Sequence, residues 1–174
     1  MRFSAAAGNI AGKDLEMHST LKNSDNEVVL RVLSEVFEGF AFMFVEEEPD
    51  FDSGAPVECL SASIRFSGKS AAGVFEIVSP VDFCEELAEN ILGAETDELP
   101  PDAGEGALKE VVNVACGYLL SEKFGTEEVF DLSIPVTASV NPNEWCTFFE
   151  GGSYALYLVE ESPILVRLES APAS

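Results

Sequence analysis

The sequence has little positive charge and few of the residues that build catalytic centres. Nine Lys and Arg stand against 32 Asp and Glu, a formal net charge of -23. A surface that acidic repels phosphate backbones and anionic lipid heads, so nucleic acid and membrane surfaces are not expected partners; its ordinary role is solubility. The one histidine is His18, which excludes a His-based triad or a His metal cluster within one chain. Cys59, Cys84, Cys116 and Cys146 are widely spaced, with no C-x-x-C pair. They read as small core hydrophobes in a reducing compartment. No apolar run reaches the length of a membrane span. The opening "RFSAAAGNIAGK" is too short and too polar for a secretory apolar region, so the expected location is cytoplasmic.

What remains is a chain of 174 residues, 47% of them hydrophobic, which suits one domain. Residues 1–26 lack periodicity and read as a flexible N-terminal arm; residues 27–174 read as the domain. From Val28 the pattern is helical, with Val29, Leu33, Val36, Phe37, Phe40 and Phe44 on one stripe, ended by "EEEPDFDSG". "ECLSASIRFSG" alternates as a half-buried strand, and "AGVFEIV" after the turn "SGKS" makes it a hairpin. Ser79, Pro80 and Asp82 resemble a capping box opening a second helix, with Cys84, Leu87, Ala88, Ile91 and Leu92 inward and Gly93 as its C-cap. "AETDELPPDAG" reads as a linker. A third helix follows, to about Phe124, stopped by Gly125. The strands "LSIPVTASV", "WCTFFE", "YALYLVE" and "ILVRLE" complete the chain. Both halves start with a long helix followed by strands. The Gly-rich βα turns of a doubly wound nucleotide fold are absent. The expected fold is α+β, a mainly antiparallel sheet with long helices laid on it.

The third helix, "ALKEVVNVACGYLL", carries Asn113 and Gly117 in its interior, both poor helix residues. At about 100° per residue, Leu108, Val111, Val112, Ala115 and Leu119 form the core stripe. Glu110, Asn113, Gly117 and Ser121 fall on the opposite side, joined by Gly106. Nothing in the core requires these residues. Alone, Asn113 reads as a solvated residue and Gly117 as a tolerated weakness or a close helix contact. Together they read as a binding surface, since a bare glycine admits a partner's backbone and residues i and i+3 reach one target. Asn113 does not titrate, but its carbonyl can accept from a water and its amide can donate to one. Glu110 can act as a base or an ion-pair anchor. Without a nucleophile, metal cluster or phosphate cradle, this inventory suits positioning a water against an electrophile supplied by another molecule. Phosphoryl transfer fits, because it depends on positioning and electrostatics.

The run Glu110-Val-Val-Asn113-Val-Ala-Cys-Gly117 resembles the E-x-x-N-x-x-x-G helix of the CheC/CheX/FliY chemotaxis phosphatases, best the CheX branch. "LSIPVTAS", with Pro135, resembles the strand after that helix. "YALYLVEESPILVRLE" resembles the closing hairpin, and "SGKSAAGVFEIVSPVDFCEELAENILG" the middle hairpin and helix, so the resemblance covers residues 28–169. It implies a pseudo-symmetric repeat fold and hydrolysis of the aspartyl phosphate on a CheY-like receiver domain. Asn113 would orient the attacking water. Glu110 would anchor the helix to a cation of the receiver, and Gly106, Gly117 and Ser121 would line the contact. The resemblance also implies Mg2+ held by the receiver, no cofactor or metal on this chain, and a homodimer formed through the sheets.

On the first helix the matching positions are Glu35, Glu38 and Phe42, so the amide and the glycine are missing there and one site per chain is expected. Glu86 and Asn90, four apart on the second helix, read as surface. The competing readings are a non-catalytic scaffold of the same fold, binding a receiver or a flagellar switch component as FliM-type domains do, and an acidic interaction protein whose glycines serve helix packing.

Overall fold

Apolar side chains at helical spacing start the fold. The structure, a computed structural model, describes residues 23–47 and 58–173. Its first helix, α1 (Asn23–Ala41), buries Val29, Val32, Leu33, Val36 and Phe37. It starts at Asn23, four residues inside the stretch read as an arm, and the rest of that arm, His18 included, lies outside the described residues. The helix stops at Ala41, before "EEEPDFDSG". Phe40 and Phe44, expected inward, are exposed, and the next buried residue is Met43. A two-residue strand, β1 (Val45–Glu46), follows.

The hairpin of β2 (Cys59–Ser67) and β3 (Ala71–Pro80) forms as its alternation predicts. It leads into α2 (Val81–Leu92), which ends on Gly93 at φ 63°, the glycine N–H bonding the Glu89 carbonyl. The start of α2 differs from expectation. Pro80 is the N-cap and no side chain caps the helix, because the Ser79 hydroxyl lies against Cys84 Sγ at 3.1 Å instead. Leu92 is exposed rather than inward. The linker contains one 3-10 turn (Thr96–Glu98), and its last residues already belong to α3 (Ala103–Phe124).

Two further expectations are corrected after α3. "LSIPVTASV" is not one strand; it divides into β4 (Asp131–Leu132) and β5 (Val136–Val140) around Pro135. "WCTFFE" is not a strand but part of a helix, α4 (Pro142–Glu150). Asn141 caps α4 by accepting from the Asn143 and Glu144 N–H groups, while Glu144 accepts from the Asn141 N–H, a full capping box with proline in the first turn. The closing hairpin joins β6 (Ala155–Val159) to β7 (Ser162–Pro172).

The strands form one antiparallel sheet in the order β1-β6-β7-β3-β2-β4, with β5 also on β2. This order is close to a palindrome. Each half supplies a hairpin, the two hairpins meet at β3 and β7, and the strand after each half's first long helix crosses over to the other half's hairpin. One face of the sheet carries α1, α2 and α3 over Ala62, Ile64, Phe75, Ile77, Ile164 and Val166. Strand residues alternate between faces, so Cys59, Val78, Val140 and Leu165 point to the other side, where α4 covers them with Trp145. At the centre of that side Glu76 faces Arg167 across β3 and β7. Its carboxylate accepts from Arg167 at 2.6 Å and from the Tyr154 hydroxyl at 2.8 Å. The pairing compensates a nearly buried charge, which would otherwise be costly.

Candidate functional site

The helix α3 is built to hold still. It buries Ala107, Leu108, Val111, Val112, Ala115, Cys116, Leu119 and Leu120, packed against α1, α2 and β2. Burying a leucine or valine side chain stabilises by about 1.5–3 kcal/mol, so this stripe dominates the helix's attachment. Near the N-terminal end the Glu105 carboxylate accepts from Lys109 at 2.5 Å and from Thr137 of β5 at 2.6 Å, joining helix to sheet. Those two partners hold the Glu105 carboxyl below the usual range. At the other end Lys123 pairs with Asp25 at 2.5 Å, and Glu122 with Arg31, joining α3 to α1. The exposed Arg31–Glu122 pair adds little energy, while the Lys123–Asp25 pair is partly buried.

The five sequence-predicted residues lie along the outer side of this helix. Gly106, Glu110 and Ser121 are exposed; Asn113 and Gly117 are half-buried. The glycines of α3 separate into two kinds. A Cβ on Gly104 would sit 3.0 Å from the Cys84 backbone, so that glycine lets α2 and α3 approach. A Cβ on Gly106 or Gly117 would meet nothing within 4 Å, and neither glycine has a positive φ. Neither internal packing nor backbone conformation requires them. Glu110 and Asn113 have no hydrogen-bond or ion-pair partner among the described residues. Ser121 differs, because its hydroxyl donates to the Gly117 carbonyl at 3.0 Å, the local back-bonding common for helical serines. That commitment has no signature in the sequence.

This stripe supplies a carboxylate and an amide on a rigid, convex face. It has no free nucleophile of its own: Cys116 lies on the buried side, and burial pushes its thiol up to about 12. The described surface hollows, near the end of α2, beside Phe42 and over the outer face of β2 and β3, include none of the five residues. Among the described residues no group of three or more His, Cys, Asp or Glu could hold a metal ion, and no helix is long and apolar enough to cross a membrane. A convex helix with unpartnered polar tips reaches into another molecule's cavity more readily than it encloses a small ligand.

A family model described as chemotaxis phosphatase CheX matches residues 60–142, which include the whole of α3. Over that segment the chain is similar to the CheX branch of the CheC/CheX/FliY family. Solved structures share its α+β fold. The chemotaxis protein CheX from Vibrio vulnificus is 17% identical, with a TM-score of 0.63 over 84% of this chain and 96% of that one. A CheX from Desulfovibrio desulfuricans is 12% identical, with a TM-score of 0.60 over 86% and 99%. The CheX of a CheX-CheY-BeF3-Mg2+ complex from Borrelia burgdorferi is 16% identical, with a TM-score of 0.57 over 83% and 96%. No curated protein matches the chain. The family is one of chemotaxis phosphatases, and the matched segment carries both Glu110 and Asn113.

Proposed function

We propose that this protein hydrolyses the aspartyl phosphate of a CheY-like receiver domain, with α3 as the inserted element. The observation that carries the reading is the pair of glycines with open space beside them. Gly106 and Gly117 flank Glu110 and Asn113, and no contact among the described residues explains either glycine. A partner's backbone passing over the helix does. In this reading Asn113 aligns the attacking water through its amide, and Glu110 pairs with a receiver cation and sets the register. Gly106, Gly117 and the back-bonded Ser121 give close approach. The receiver holds the Mg2+, and this chain binds no cofactor. Catalysis then rests on positioning a water at a phosphoryl group, the main lever in this chemistry. The CheX-CheY complex among the similar structures supports the choice of partner. The reaction belongs in the cytoplasm, where receivers act.

A homodimer is the second element of the proposal. Among the described residues β5 pairs only with β2, and Ile134 and Val136 beside its open edge are exposed. An unpaired, uncharged edge strand is a template for a second copy. Sedimentation at rising concentration tests this, and a mass that stays at one chain overturns it.

The deciding experiment measures phosphate release from a panel of the host's phosphorylated receivers. Acceleration of at least one receiver is expected, lost on Asn113→Ala. A receiver that binds while its phosphate lifetime stays unchanged would make the protein a scaffold instead.

A further inference from the structure

The end of α1 breaks a rule that its own geometry sets. The chain leaves the helix through Phe42 at φ 56°, and the Met43 N–H closes back onto the Phe37 carbonyl at 3.2 Å. The bond reaches one residue further back than in the usual glycine stop, as at the end of α2 where the Ala94 N–H meets the Glu89 carbonyl, but the turning residue lies in the same left-handed region, normally given to glycine because a Cβ there crowds the backbone. Phe42 occupies it with 83% of its surface exposed, so packing does not offset the crowding. Its neighbours repeat the pattern. Ala41 and Met43 are buried and anchor the segment, while Phe40 and Phe44 are exposed. The backbone is fixed from the other side by the β6–β7 turn: the Phe44 N–H donates to Glu160 Oε1 at 2.8 Å, and the Glu160 N–H donates to the Phe44 carbonyl at 2.9 Å. Phe42 and Phe44 thus stand on a pinned backbone with their rings largely in solvent, and Phe40 is partly exposed beside them. Unfavourable conformation and unfavourable exposure coincide at one residue, as they do at functional surfaces.

The surroundings indicate the partner. The hollow beside Phe42 is lined by Glu86, Glu160 and Glu161 and by no basic residue. Exposed Glu38 and Glu46 lie along the same segment. The geometry points to a docking site for a cationic amphipathic segment, a stretch of partner chain with apolar side chains flanked by lysine or arginine. The rings gain by burial, and covering the carboxylates strengthens their attraction to a positive charge. A second copy of this chain is disfavoured, since it would bring the same carboxylates against these. The site lies on the other long helix from α3 and stands independently of the phosphatase reading.

The test titrates three synthetic peptides into the full chain: alternating leucine and lysine, alternating serine and lysine, and alternating leucine and glutamate. The leucine–lysine peptide is expected to bind tightest, and Phe42→Gly to weaken it at least tenfold. The same variant is expected to raise Tm by about 2–4 °C, because glycine suits the φ. Phe44→Ser, which leaves that φ alone, is expected to weaken the peptide without raising Tm. Glu160→Gln keeps an acceptor for the Phe44 N–H and is expected to weaken binding and flatten its salt dependence. Equal binding of the serine–lysine or leucine–glutamate peptide overturns the proposal, as does binding to Phe42→Gly within twofold of wild type. A fall in Tm on Phe42→Gly would show that the ring holds the fold together, and overturns it too.

Discussion

The helices α1 and α3 open the two halves of one pseudo-symmetric sheet, yet they break the rules of helix chemistry in opposite ways. Laying Glu35 on Glu110 puts Glu38 on Asn113 and Phe42 on Gly117. On α3 the glycine sits in regular helix, where it needs no conformational freedom and a Cβ would meet nothing among the described residues. On α1 the same position has positive φ, where glycine would be at ease, and phenylalanine occupies it. α3 continues past this position to Phe124, while α1 stops one residue before it. Each helix therefore keeps a residue that its own backbone argues against. A residue with no internal reason to be present points outward, to what it meets. The halves share a scaffold and present different surfaces, bare and amide-bearing on one helix, aromatic and acid-rimmed on the other.

That contrast can be broken on either helix. The largest effect is expected from Asn113→Ala, which should lower acceleration of receiver dephosphorylation at least about 100-fold, the size of losing a positioned group at a reacting centre. Its urea unfolding midpoint should stay near wild type, because the side chain has no partner among the described residues. Next, Glu110→Ala should cost about tenfold, mainly in KM, since an anchoring ion pair at an interface is worth about 1–2 kcal/mol. Steady-state phosphate release resolves KM from kcat. Third, Gly117→Ala should stabilise the chain by about 1 kcal/mol, the helix-propensity difference, measured by urea denaturation. It should also reduce turnover, because a methyl group now stands where the partner passes. A stabilised variant with full turnover would show that the glycine is incidental. Last, Glu38→Asn restores the amide on α1 but not the missing turn beyond it. Dephosphorylation should change less than twofold; a clear gain would show that α1 still works as a second insertion helix.

Much of this was legible from residue order. The alternation of "CLSASIRFS" and the stripe Leu108, Val111, Val112, Ala115, Leu119 gave a strand and a helix face, because burial on one side imposes those periods. Gly93 marked its helix end. The failures have physical causes. Trp145, Phe148 and Phe149 have strand-like composition, and α4 was missed although Asn141, Pro142 and Glu144 spell out a capping box. The cap signal is local and specific, while strand propensity reflects context. Ser79 looked like a cap, but its hydroxyl turned to Cys84 once β3 and α2 closed together, a tertiary choice without a sequence mark. Phe44 continues a helical stripe on paper, and the stop at Phe42 takes it off the helix; Phe40 is still inside α1 and is exposed in its last turn. For the candidate site, the wheel placed Gly106, Glu110 and Gly117 away from the core. It could not separate Gly104, where a Cβ would meet α2, from Gly117, where a Cβ would meet nothing among the described residues.

The central pair of the sheet has its own consequence. Laying the pair Ile64 and Phe75 of one hairpin on the pair Ala155 and Val166 of the other carries Glu76 onto Arg167, the residue it faces. The position lies on the pseudo-twofold axis, where each half meets its own image. Two identical N-terminal halves would bring glutamate against glutamate there, and two C-terminal halves arginine against arginine. Only one of each gives attraction. The seam is thus keyed by charge: each half accepts its complement and rejects its twin, which ties the repeat to a single continuous chain.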